Sequence, residues 1–179
     1  MQNDDYQNLP VDPATLPRTA GQEYHGLAPA YKYARLMGLI LWGGGILTAM
    51  VVVGLFNQIW QYPGYVAGGI AAWLTLLLLR VWILFRGFRR KKYALRERDV
   101  TYQRGLITFA VTSIPFNRVQ HAEVNQGFID RMFELAKLSI YTAGGSSSDL
   151  VIPGLNPDEA QRLKDFILKQ SHAQSSSSD

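Results

Sequence analysis

The stretch Leu36-Met37-Gly38-Leu39-Ile40-Leu41-Trp42-Gly43-Gly44-Gly45-Ile46-Leu47-Thr48-Ala49-Met50-Val51-Val52-Val53-Gly54-Leu55-Phe56 runs for 21 residues without a charge. A helix rising ~1.5 Å per residue needs about 20 such residues to cross ~30 Å of hydrocarbon. A second apolar stretch follows from Pro63 to Phe85, interrupted only by Arg80. Arginine near a boundary can snorkel its guanidinium to the headgroups. The pair predicts two membrane spans, over about 36–57 and 63–85. The competing expectation, a helical hairpin buried in a soluble protein, is disfavoured because little chain remains to cover two such runs.

The connection Asn57-Gln58-Ile59-Trp60-Gln61-Tyr62-Pro63-Gly64 is uncharged and carries a Pro-Gly turn signal. Trp60, Tyr62 and Tyr65 stand where an interfacial aromatic belt belongs. Lys32 and Arg35 precede the first span, and Arg86, Arg89, Arg90, Lys91 and Lys92 follow the second. Residues 36–92 hold six basic and no acidic side chains, whereas 93–169 hold nine of each. Basic flanks mark the cytoplasmic side, so the expectation is a multi-pass membrane protein with both termini cytoplasmic. The first 35 residues lack the basic start and apolar core of a secretory signal, so the first span is expected to be retained. A basic surplus confined to a membrane flank argues against a nucleic-acid partner.

Within the spans, Gly45 and Ala49 recur four residues apart, as do Gly64, Gly68 and Ala72. Small residues at this spacing let membrane helices approach closely, either each other or a partner's. The run Arg89-Arg90-Lys91-Lys92 is sufficient as a topological stop, and it also attracts anionic headgroups.

Beyond Lys92 the pattern changes to short runs rich in β-branched and aromatic residues. Strands are expected over 93–95, 100–104, 106–114, 119–126, 138–142 and 150–152, and a short helix over 127–135. Asn156-Pro157-Asp158-Glu159 places a cap, a first-turn proline and acids at a helix start. Ala160, Leu163, Phe166 and Ile167 then form one apolar stripe, which should close over the sheet. The expected organisation is a flexible segment over 1–30, a hairpin with its basic run over 31–92, a cytoplasmic domain over 93–170 and a disordered tail over 171–179. The fold class is an α+β membrane protein: a two-helix transmembrane hairpin, then a small β-barrel or sandwich capped by a C-terminal α-helix.

Catalytic and metal chemistry find little support. The chain has no cysteine, and His25, His121 and His172 lie in unrelated segments. Ser146-Ser147-Ser148 after Gly144-Gly145 lacks the lysine and following helix of a phosphate loop. Asp158 and Glu159 are explained by capping. No cofactor is expected. Arg96, Arg98 and Arg104 flank the first two strands and are candidate lipid-headgroup contacts, although Glu97 and Asp99 interleave with them.

Tyr93-Ala94-Leu95, Arg104-Gly105, Ile114-Pro115 with Arg118-Val119-Gln120, Arg131, Leu138 to Gly144 and Ile152-Pro153-Gly154-Leu155 occur in this order behind the hairpin. Residues 25–170 thereby resemble the bacterial pleckstrin-homology-like (PH-like) membrane proteins of the YdbS type. The resemblance implies a PH-like barrel with one helix on the cytoplasmic face of the bacterial inner (plasma) membrane, a larger membrane partner carrying several such domains, and no established enzyme activity. It supplies no binding residues. The resulting expectation is a non-enzymatic module that docks on a partner membrane protein or on its own copies. Headgroup sensing at the inner leaflet is the second expectation, and an accessory subunit of a membrane enzyme or transporter the third.

Overall fold

The computed structural model describes residues 23–56, 61–106, 108–143 and 148–176. Expectations for residues 1–22, Trp60, Gly144 to Ser147 and 177–179 lie outside the described residues.

Two long helices come first, α1 (Ala30–Phe56) and α2 (Pro63–Phe88). Each is long and apolar enough to cross a membrane. Their faces are open: α2 buries no residue, and Trp42 and Leu78 are 76% and 67% exposed. The β-rich part does not cover the hairpin, contrary to a soluble helical core.

A two-residue strand β1 (His25–Gly26) precedes α1 and pairs with β2 (Lys92–Leu95). β2 pairs with β3 (Asp99–Arg104), and β3 with β4 (Ala110–Pro115), all antiparallel. A 3-10 turn at Phe116–Arg118 redirects the chain into a second antiparallel sheet of β5 (Val119–Asn125), β6 (Ala136–Thr142) and β7 (Leu150–Leu155). A short helix α3 (Phe128–Met132) joins β5 to β6, and α4 (Pro157–Ser176) closes the domain.

The core forms where the two sheets and α4 meet. Phe116, Leu138, Ile140, Ile152, Leu155, Ala160 and Ile167 have no solvent exposure. Burying a side chain of Leu, Ile or Phe size contributes about 1.5–3 kcal/mol, so these positions dominate the cohesion of the domain. Phe116 meets the Phe166 ring edge-on at 6.0 Å, joining the corner between the sheets to α4. The start of α4 follows its sequence: the Asp158 N–H donates to Asn156 Oδ1 at 3.3 Å.

Several boundaries differ from expectation. Residues 23–30 are not a free leader: Leu27 is buried, and the Ala28 N–H donates to the Gly154 carbonyl at 2.8 Å. Two strand residues were too few to carry a periodic signal. The helix α4 continues past the boundary at residue 170, where the Ser171 hydroxyl donates to the Val119 carbonyl at 2.8 Å. Its low-complexity sequence concealed that contact. The expected strand over 106–114 begins only at Ala110, because Gly105 turns the chain at φ 122°.

The helices pack through glycines other than those expected. A Cβ on Gly43 would stand 3.2 Å from Leu77 Cδ1, and one on Gly69 would stand 3.5 Å from Met50 Cε. Gly45, Gly64 and Gly68 have no such neighbour within 4 Å, and Ala49 and Ala72 are exposed. Gly45, Gly64 and Gly68 therefore do not meet the other helix of the hairpin, and Ala49 and Ala72 lie open. Spacing marks small residues, but the rotation of the helices decides which of them meet.

Candidate functional site

Tyr31 sits in the first turn of α1, one helical turn before Arg35, so the two side chains share a face. Its ring is buried in the core of the β domain beside Leu27 and Ala34. The Arg35 Nε donates to the Tyr31 hydroxyl at 2.9 Å, and its guanidinium lies 5.0 Å from the ring centre. From the end of α2, the Lys91 Nζ donates to the same oxygen at 3.4 Å and stands 5.1 Å from the same ring. One neutral tyrosine thus gathers two cations, and Phe88 packs its ring 6.3 Å away.

Against the ring lies Gly154 in β7, at φ 68°. A Cβ there would lie 2.6 Å from the Tyr31 ring carbons. Only glycine combines that left-handed backbone with so close a neighbour. The first turn of α1 is consequently held by β7 through Gly154 and by Lys91 from beyond α2, with Arg35 of α1 itself on the same hydroxyl.

Between α1 and α2 a crevice of about 1320 Å³ opens. Gly38, Trp42, Trp73, Leu77 and Leu84 line its apolar walls. Leu106 and Phe128–Asp130 close its domain end, and Lys32, Arg35, Arg80 and Lys91 bring four positive charges to it. Asp130 is the carboxylate that lines it, and its Oδ2 accepts the Gly127 N–H at 3.3 Å. Among the described residues the ion pairs are Arg96–Asp99, His121–Glu123 and Lys164–Asp165, so none neutralises this cluster.

The basic residues singled out from sequence are not brought together. Register places Lys92 opposite Gln103 and Leu95 opposite Val100. Arg104 therefore stands at the hairpin end of the sheet. Arg96 and Arg98 stand at the other end, five to six residues along the strands, roughly 17–20 Å away at ~3.3 Å per residue. Arg96 pairs with Asp99 at 3.7 Å, and the Arg98 carbonyl accepts the Phe116 N–H. Arg89, Arg90 and Lys92 are exposed, and Lys91 alone of that run turns onto Tyr31. Sequence reasoning treated Arg35 as a topological flank, treated Arg80 as an isolated snorkelling group and left Tyr31 unremarked. The available signal was Arg80 itself, an intramembrane cation with no acid in either span.

Other polar clusters are structural. The His121 Nε2 lies 3.0 Å from Glu123 Oε1. Hydrogen bonds from His121, Asn125 and Tyr141 hold the Glu123 carboxyl below its usual range. Burial, together with its hydrogen bond to Glu159, pushes the Tyr93 phenol well up. Burial also raises Tyr102 to about 12, with Tyr31 adding and Arg104 and Arg35 opposing. Among the described residues no three His, Asp or Glu side chains gather to hold a metal.

A model of the bacterial PH domain matches residues 33–171, a span that takes in both long helices. The UPF0699 transmembrane protein YdbS of Bacillus subtilis (strain 168) is 30% identical over 139 residues, covering 76% of this chain and 84% of YdbS. The UPF0699 transmembrane protein YdbT of the same organism is 27% identical over 116 residues, covering 64% of this chain but only 22% of YdbT. Among solved structures, a DUF1696 family protein with a pleckstrin-homology domain from Shewanella loihica aligns with a TM-score of 0.37 at 16% identity. That alignment covers 47% of this chain and 73% of the other.

Proposed function

The chain belongs to the bacterial PH domain family, and on that premise we propose that it is a non-enzymatic, membrane-anchored module that docks on a partner membrane protein. Its hairpin crosses the bacterial plasma membrane with both ends in the cytoplasm, and the β domain sits at the inner leaflet. Lys32, Arg35, Arg86 and the 89–92 run all lie at the domain end of the hairpin, in keeping with basic flanks on the cytoplasmic side. The partner is a larger membrane protein with PH-like domains of its own.

The observation that carries this reading is the outward placement of the small residues. Gly64 and Gly68 on α2 have open space over them, and Gly45 and Ala49 form a shallow dent with Leu41, Trp42 and Ile46 on α1. Membrane helices associate through such small-residue faces, because lipid supplies no hydrophobic drive between them. The clamp on Tyr31 favours the same reading, since a partner gripping the hairpin would find the β domain at a fixed position.

The test is co-purification of the full chain from its native membrane in mild detergent, alone and as the Gly64→Leu/Gly68→Leu double variant. Open space at both positions lets the variant keep its own fold. The expected result is a stoichiometric membrane protein retained by the native chain and lost from the variant. Recovery of isolated monomer across several detergents overturns the proposal, and a self-associated species replaces the partner by a second copy.

A further inference from the structure

We infer that the crevice between α1 and α2 is a binding site for one anionic phospholipid. Its phosphate lies among Arg35, Arg80 and Lys91, and an acyl chain runs along the apolar walls. The inference is independent of any docking partner.

Three observations converge on it. First, Arg35 and Lys91 lie within 3.4 Å of one tyrosine oxygen, yet neither joins an ion pair among the described residues. Like charges held together at the edge of a low-dielectric region repel strongly. A shared anion removes that cost. The hydroxyl of the buried Tyr31 accepts from both side chains and so positions them side by side.

Second, Arg80 brings a third charge to the same crevice from deeper in the membrane. It precedes Gly87 by seven residues on α2, which is roughly 10 Å along the helix axis. A cation at that depth is costly unless a partner or water reaches it. Both spans lack acids, and the one carboxylate that lines the crevice, Asp130, joins no ion pair among the described residues, so four cations face one acid there. A phosphate drawn below the headgroup plane supplies compensating negative charge, and guanidinium binds phosphate oxygens bidentately.

Third, the walls leading away from these cations suit a hydrocarbon chain rather than a soluble anion. Trp42 and Ile46 line the crevice from α1, and Trp73 and Leu77 from α2. The volume of about 1320 Å³ exceeds the roughly 300–1,000 Å³ of sites for drug-sized ligands. The domain contributes the floor: Ile129 Cδ1 stands 3.8 Å from the Cβ position of Gly38, so α3 rests on α1 at the level of the spans. The occupant would thus touch both helices and the β domain together.

Native mass spectrometry of the full chain in mild detergent tests this, with phosphatidylglycerol, phosphatidylcholine or glycerol phosphate added separately. One phosphatidylglycerol should be retained under activation that strips phosphatidylcholine. Arg80→Gln and Lys91→Gln should each weaken its retention about tenfold, the loss expected for one charge-assisted contact. Arg90→Gln, exposed and outside the crevice, should leave retention unchanged. Should Arg80→Gln fail to fold, Lys91→Gln carries the same comparison from outside the hydrocarbon. Equal retention of the two phospholipids overturns the inference. So does undiminished retention by Lys91→Gln, equal loss in Arg90→Gln, or displacement of the lipid by glycerol phosphate, which would mean a headgroup site without a chain.

Discussion

The ring of Tyr31 lies flush against the backbone of Gly154, so close that a Cβ at Gly154 would fall 2.6 Å from it. This contact ties the start of the first long helix to the last strand, 123 positions further along the chain. It makes hairpin and β domain one packed body. Replacing Gly154 with alanine should therefore cost several times what an ordinary strand glycine costs. We expect a loss of about 2–4 kcal/mol, from a strained left-handed backbone and a steric overlap together. Gly26→Ala, with nothing within 4 Å, is the control and should be near neutral. Thermal melts in detergent would decide, and equal stability of the two variants would remove the clamp.

Tyr31→Phe keeps the ring but deletes the oxygen on which Arg35 and Lys91 converge. Its expected cost is about 0.5–1.5 kcal/mol, as for lost hydrogen bonds. Tyr31→Ala opens a cavity in the core and should cost about 3–5 kcal/mol. Equal effects of the two changes would mean that the ring contributes nothing beyond its hydroxyl.

Glu134 closes α3 in the left-handed region at φ 52°, and the following Leu135 N–H donates back to the Asp130 carbonyl at 2.8 Å. A side chain there costs about 1 kcal/mol relative to glycine. Glu134→Gly should accordingly raise the unfolding midpoint, which differential scanning calorimetry can measure. A lowered midpoint would show that the Glu134 side chain makes a compensating contact.

Asp149 accepts hydrogen bonds from the Thr142 hydroxyl at 2.6 Å and the Thr142 N–H at 2.8 Å, which hold its carboxyl below the usual aspartate range. A depressed folded-state pKa gives stability that is present above the unfolded value and lost as pH falls through the folded one. Thr142→Val deletes the larger of the two causes. The wild-type chain should be the more stable at neutral pH, and the gap should close below the ordinary aspartate range. A gap that persists undiminished in acid would argue against an ionised Asp149 as its source.

Ser171 anchors the extension of α4 through the Val119 carbonyl. Ser171→Ala should destabilise the domain by about 0.5–1.5 kcal/mol, and truncation after Gln170 by at least as much. Hydrogen exchange would show faster exchange at the α4 terminus in both. Truncation without effect would return these residues to the status of a tail.

The elements with long, regular signals were legible. Two long apolar runs became α1 and α2, and the Asn156-Pro157 cap became the start of α4. The change of pattern after Lys92 became the antiparallel sheets. Elements without periodicity were not legible: β1 has two residues, and the end of α4 is written in serine, glutamine and alanine. The candidate site was the least visible part. Lys91 is one of four consecutive basic residues and nothing local separates it from its neighbours, yet it alone reaches Tyr31.

What the amino-acid order determined by itself was the preferred solvent of each segment and the period of its apolar positions. Both are summed over neighbouring residues and need no distant partner. Only the tertiary structure decided which side chains meet. The rotation of α1 against α2 chose Gly43 and Gly69 over Gly45, Gly64 and Gly68. The register of β2 on β3 parted Arg104 from Arg96 and Arg98. The closure of β7 on α1 set Tyr31 beside Gly154 and beneath two cations. Each of these depends on contacts between segments far apart in the chain, where a shift of one residue or a fraction of a turn exchanges every neighbour.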